Sequence, residues 1–178
     1  MSAERMFILK SYGAEVILHG TVPEAFAHMA LIQRERHLTL IHPFDDPLVI
    51  AGQGTVGLEI LEQVPDVDVI VVGVGGGGLI SGIALAAKSL KPGVRVNGVE
   101  PEGSSVMRQS WDKGEVVHLH EVHTIADGLG APMAGQITYP MTRQYVGDIV
   151  LVTEEDIVAG MKALMGYAKL YPEPAGAA

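Results

Sequence analysis

Residues 69–79 read Val69-Ile70-Val71-Val72-Gly73-Val74-Gly75-Gly76-Gly77-Gly78-Leu79, and this stretch decides the fold. Its first four residues form a continuous apolar run rich in valine, the pattern of a parallel strand buried on both faces. The apolar residues after the glycines predict a helix over 79–90. A strand passing through four consecutive glycines into a helix leaves backbone amides bare at the positive end of that helix. Such amides hold phosphate well. Two glycines suffice for a tight turn without a ligand, so the fourfold run favours a phosphate site over a plain turn.

Working outward, Lys91-Pro92-Gly93 ends the helix and 94–99 is the next strand. This strand–loop–helix–strand order predicts that 69–72 and 94–99 are adjacent parallel strands. Downstream come a short helix near 104–111, an irregular glycine-rich segment over 112–136, and a partly helical stretch over 137–146 that Pro140 interrupts. A strand follows over 149–152. Thr153 then caps a helix whose Ile157, Met161, Leu164, Met165 and Ala168 form an apolar stripe.

Upstream, 47–63 reads as a helix despite Gly52, Gly54 and Gly57. Three glycines cost such a helix roughly 2–3 kcal/mol relative to alanine, which predicts close packing against another backbone. A helix over 2–12 stops at Gly13, in the left-handed conformation usual there. Strands are expected over 15–18 and 38–41. Between them Thr21 and Glu24 form a capping box for a helix that places Val22, Phe26, Met29 and Ile32 on one face. Asp45 and Asp46, flanked by prolines, are expected to cap the 47–63 helix. The alternation predicts an α/β layered fold with a parallel sheet and flanking helices. The chain crossing near 42–52 divides it into residues 1–47 and 48–178.

The composition excludes several functions. A formal charge of −9, with no run of basic residues, argues against nucleic acid and anionic membranes as partners. Without cysteine there is no disulfide, thiolate metal site or thiol nucleophile. No uncharged apolar stretch is long enough to span a bilayer. The first residues carry charges and no cleavage-site pattern, so no signal peptide is expected and the cytoplasm is the expected location. His118, His120, Glu121 and His123 cluster, but no third ligand is fixed by their spacing, and a solvated loop is the favoured reading over zinc.

On spacing alone the glycine loop is open to a second ligand. Gly73, Gly75 and Gly78 fit G-x-G-x-x-G, and Glu100 ends the next strand, where an acid would meet a ribose. A non-catalytic phosphate-binding α/β fragment is one alternative; this pattern makes an NAD-binding Rossmann-like domain the other. Several further blocks weigh against it: HPFDDPLVIAGQGTVGLEI over 42–60, GVGGGGLISGIA over 73–84, NGVEPEGS over 97–104, Thr124-Ile125-Ala126-Asp127-Gly128, DIVLV over 148–152 and EPAGAA over 173–178. In this order and spacing they resemble the fold-type II pyridoxal-phosphate enzymes, the threonine/serine dehydratases and serine racemases, from about Tyr12 to the last residue.

The resemblance implies the tryptophan-synthase-β-like architecture, with residues 1–47 part of a small domain and 48–178 part of the large cofactor-binding domain. It implies a cup for the phosphate of pyridoxal 5'-phosphate made by Gly75, Gly76, Gly77, Gly78 and the Leu79 amide. Gly128, beside Asp127, resembles a loop near the cofactor, and Glu173 resembles an acid near the pyridine ring. It implies β-elimination from a small hydroxyl amino acid as the reaction. Glu100 matches a cation ligand of some relatives, but a further aspartate ligand's position is Val106 here, so no metal site is expected.

The family's Schiff-base lysine lies in a Ser-x-Lys-x-Arg-Gly context, and none of Lys10, Lys88, Lys91, Lys113, Lys162 and Lys169 stands in one. The Ser-x-Gly-Asn and Ser-Gly-Gly-Asn segments are also missing from the sequence. By resemblance the chain is a fragment truncated at both ends and inactive in isolation, with no catalytic residue of its own. Any cofactor would be bound non-covalently. It is expected to form a homo-oligomer or to pair with a complementary chain.

Overall fold

A computed structural model describes residues 3–20 and 22–178. The chain forms two compact units, one ending at Leu40 and the other running from Ile41 to Ala178. The first holds helices α1 (Ala3–Ser11) and α2 (Val22–Arg36), with Gly13 at φ 81° after α1. Residues 14–19 lie between the helices without regular secondary structure, and Glu15 is bridged to Arg36 by both of its carboxylate oxygens. The expected strands at 15–18 and 38–41 are absent: both segments are without ladder hydrogen bonds. Valine, isoleucine and leucine favour a strand only where a partner completes it. Thr21 of the expected capping box lies outside the described residues.

In the second unit α3 spans Pro47–Gln63 and β1 Val69–Gly73. Then come α4 (Gly78–Leu90), β2 (Arg95–Pro101), α5 (Val106–Lys113), α6 (Thr138–Tyr145), β3 (Asp148–Val152) and α7 (Glu154–Ala163). The sheet has the order β1-β2-β3 with both pairs parallel, Val69 opposite Arg95 and Gly98 opposite Ile149. Thr153 and Asp156 form a full capping box on α7. Pro140 is tolerated in the first turn of α6, where its missing N–H would have no helical acceptor.

The core lies between one sheet face and α4. Ile70 and Val72 of β1, Val96 of β2 and Ile149 of β3 pack against Ile80, Ile83 and Ala87. Two of the three α3 glycines, Gly54 and Gly57, pack as their cost predicts, whereas Gly52 is exposed with open space around it. A Cβ at Gly57 would stand 2.8 Å from Ile83 O, and one at Gly82 would run into Ile50 O, so the α3 and α4 backbones meet directly. On the other face a smaller cluster of Ala126, Leu129 and Ile157 covers only part of the sheet. Val71 remains 62% exposed, which corrects the reading of its strand as buried on both faces. Of the α7 stripe, Ile157 is buried while Met165 and Ala168 are exposed, because a π-helical turn over Leu164–Ala168 replaces the last part of the helix. No helix among the described residues is long and apolar enough to cross a membrane.

Candidate functional site

The loop between β1 and α4 is anchored at its start by Val74, whose N–H donates to Val99 O at 2.8 Å. At its end Gly77 sits at φ 91°, ψ −1° as the N-cap of α4, and its carbonyl accepts from Ser81 N. Only glycine adopts that conformation without strain. The loop is also closely packed. A Cβ at Gly75 would lie 3.3 Å from Leu129 Cα, and one at Gly76 would enter the Phe44 ring. At Gly77 it would lie 2.5 Å from Met107 Cε, and at Gly78 2.9 Å from Phe44 Cβ.

The N–H groups of Gly75 to Ile80 find no acceptor among the described residues. Four of these, from Gly77 to Ile80, are the open donors of any helix start. The other two come from the loop conformation. Gly76, Gly77, Gly78 and Ile80 are buried, where an unmade N–H bond is costly. An anion supplies acceptors to open amides at the positive end of α4, so these residues fit a phosphate ester.

Residues 42–46 brace the loop. His42 Nδ1 accepts from Phe44 N at 3.3 Å and Asp45 N at 2.8 Å, and the two rings meet edge to face at 4.8 Å. Asp46 caps α3 as expected, accepting from Leu48 N and Val49 N. Asp45 does not share that task, which corrects the sequence reading. It reaches the start of α6 and accepts from Gln136 N, Ile137 N and Thr138 N at 2.8, 2.9 and 3.1 Å. Thr138, fully buried, donates its hydroxyl to Gly76 O at 2.6 Å. Sequence reasoning missed Phe44, Asp45 and Thr138 as parts of the site. The HPFDDP block gave a signal for the first two; nothing local marks Thr138.

Beside the loop lies a cavity of about 460 Å³ at the open edge of β1. Gly73 and Leu79 line it together with Gly128, Leu129 and Glu173, so one pocket joins three separate sequence blocks. Gly75 to Gly78 are not in its lining. Glu173 is exposed and caps a short turn over Pro174–Gly176. Its Oε1 stands 3.4 Å from where a Cβ of Gly128 would be. Asp127 and Gly128 are exposed in a 3₁₀ turn anchored by buried Leu129.

Glu100, the acid required by the dinucleotide reading, is engaged elsewhere. It is fully buried, and Met107 N and Arg108 N at the start of α5 donate to its two oxygens, each at 2.8 Å. Burial pushes its carboxyl up to about 7, with the two amide bonds opposing. A side chain held this way cannot reach a ribose. Of the 118–123 cluster, His123 Nε2 lies 2.9 Å from Glu121 Oε2 at the surface. No three His, Cys, Asp or Glu among the described residues are grouped to hold a metal ion.

No lysine lines the cavity beside the loop. Lys88 lies ten residues along α4 from Gly78, about 15 Å away at the helical rise, and donates to Val94 O. Lys91 donates to Pro65 O and Val67 O. Lys113 pairs with Glu115, and Lys169 bonds Gly166 O within its own turn. Lys162 lines a separate surface hollow with Glu154 and Glu155, and Lys10 belongs to the first unit.

The family model for "pyridoxal-phosphate dependent enzyme" matches residues 1–178. L-threonine ammonia-lyase of Geobacter sulfurreducens is 45% identical over 175 residues, which are 98% of this chain and 44% of that protein. The Thermotoga maritima protein of the same name is 44% identical over 94% of this chain and 42% of its own length. Among solved structures, maize serine racemase superposes with a TM-score of 0.93 at 40% identity, covering 99% of this chain and 54% of that one. The T.th. threonine deaminase gives 0.91 at 39% identity, covering 97% and 58%. The chain thus spans less than half the length of these two curated relatives, and its parallel sheet with flanking helices is the fold-type II arrangement of its structural neighbours. Matched along its whole length, the chain belongs to the pyridoxal-phosphate dependent enzyme family.

Proposed function

We propose that the complete protein is a pyridoxal-phosphate-dependent lyase that removes the β-hydroxyl and the amino group of threonine or serine, releasing ammonia and a 2-oxo acid. In this reading, the 178 residues supply the phosphate cup. The observation that carries it is the run of acceptor-free amides from Gly75 to Ile80 at the start of α4. When bound, the cofactor supplies an electron sink for loss of the substrate α-proton. The amides of Gly75 to Leu79 hold its phosphate, while Gly128 and Glu173 border the ring from the cavity. Phe44 and Leu129, packed against the glycines, keep the loop in one conformation.

The positions of the six lysines favour non-covalent binding, so these residues alone hold the cofactor without turnover. A lysine from other sequence, in the same polypeptide or a complementary chain, completes the enzyme. Partner chains, identical or complementary, cover the open β1 edge where Val71 is exposed. A cytoplasmic setting belongs to the same reading.

The test is to mix the chain with pyridoxal phosphate, reduce with borohydride and map labelled lysines by mass spectrometry, with threonine turnover followed as 2-oxobutanoate. Diffuse low-level labelling without turnover is expected. One lysine labelled stoichiometrically, with 2-oxobutanoate formed, overturns the non-covalent assignment. Tight NAD binding without pyridoxal-phosphate binding overturns the cup.

A further inference from the structure

Thr138 reaches the glycine loop from sixty-two residues further along the chain. Its side chain is fully buried and both hydrogen-bonding roles of its hydroxyl are filled. Oγ1 donates to Gly76 O at 2.6 Å and accepts from Gly135 N at 3.0 Å. The residue itself is fixed, because its own N–H donates to Asp45 Oδ1. Asp45 also accepts from Gln136 N and Ile137 N, so the start of α6 is tied to the 42–46 segment by three bonds.

Gly76 O and the Gly77 N–H belong to one peptide unit, and in a trans peptide they point in opposite directions. Holding the carbonyl toward Thr138 therefore turns the Gly77 N–H away from it. The N–H so directed has no acceptor among the described residues. Glycine at φ 91° has little intrinsic preference for one orientation of the preceding peptide, so the hydroxyl selects it. We infer that Thr138 is a positioning residue of the phosphate cup: its hydroxyl sets the Gly76–Gly77 peptide so that the Gly77 N–H faces the bound phosphate. Asp45 acts one step further back, by holding Thr138. This inference rests on the loop being a phosphate site.

The experiment titrates the ¹⁵N-labelled chain with inorganic phosphate and follows the amide resonances of residues 75–80. In the unsubstituted chain the loop amides, Gly77 included, shift saturably. Thr138→Val keeps the shape and removes the hydroxyl; it weakens phosphate binding about tenfold or more, the scale of one hydrogen bond to a charged group, and abolishes the Gly77 response. Thr138→Ser restores both, which a role in filling the core alone would not achieve. Equal affinity in T138V and the unsubstituted chain overturns the inference while the cup stands. No phosphate response at any loop amide overturns the cup, and this assignment with it. Hydrogen exchange on the unsubstituted chain tests the same point should T138V not fold. Phosphate should slow exchange of the Gly77 N–H at least tenfold, and no slowing while neighbouring amides are protected overturns the inference.

Discussion

Two glycine clusters meet near α4, and they differ in what their backbones do. Gly54, Gly57 and Gly82 sit inside α3 and α4 and let the two helix backbones touch. Gly75 to Gly78 lead into α4; their N–H groups have no acceptor among the described residues, while Phe44, Met107 and Leu129 pack against the loop. The first cluster is dispersed over two helices and the second is a consecutive run in the sequence. Close approach explains the first completely. The second has close approach and open donors, and the proposed function assigns those donors to the phosphate.

The largest expected effect tests the packing cluster. In Gly82→Val a Cβ meets Ile50 O and lies 2.6 Å from Gly54 N, both backbone atoms. Overpacking of this kind should cost about 3 kcal/mol or more, read from urea unfolding. Phosphate affinity of the folded fraction should stay unchanged; a parallel loss of affinity would erase the division between the clusters.

Glu100 belongs with the packing side, because its oxygens are engaged within the chain. Its carboxyl is raised from an ordinary 4.5 to about 7 by burial. Between these values the folded state keeps a proton that the unfolded state has released. The contribution is therefore full below pH 4.5, declines by about 3 kcal/mol as pH rises to 7, and is level above. Urea midpoints across that range should fall in the native chain more steeply than in Glu100→Gln. Parallel profiles would show that the carboxyl does not titrate there.

Gly77→Ala tests the loop cluster. Alanine at φ 91°, with its Cβ 2.5 Å from Met107 Cε, should cost about 1–2 kcal/mol of stability. Its larger mark should be on inorganic phosphate binding, weakened at least tenfold by isothermal titration. Unchanged affinity would assign Gly77 to packing alone. The smallest effect has the opposite sign. Gly52 is exposed in α3 with open space around its missing Cβ, so Gly52→Ala should stabilise by about 0.5–1 kcal/mol in the same urea assay. A loss instead would mean that Gly52, too, is an approach point.

Local features were legible in the sequence. The β1–loop–α4 passage is a contiguous signal, and α3 spans the 47–63 expected of it, with Asp46 as its cap. The strands expected at 15–18 and 38–41 were not, because apolar β-formers state a preference and a ladder needs a partner. Val71 was read as covered on both faces since a valine run carries no information on what lies against each face. Thr138 and Asp45 were invisible as site residues for a related reason: their partners are tens of residues away, and no periodicity or spacing encodes such a bond.

The Asp45 tie carries a consequence for how the chain reaches its final state. Its three amide partners follow it by 91, 92 and 93 residues. Closing so long a loop costs entropy before any contact compensates for it, and such contacts form late on a folding route. During synthesis α3, β1 and α4 emerge well before α6. The glycine loop is thus made early and set late, when the ribosome has delivered Thr138. Anion affinity, followed in chains stopped at successive lengths, should rise abruptly once that residue can reach Gly76.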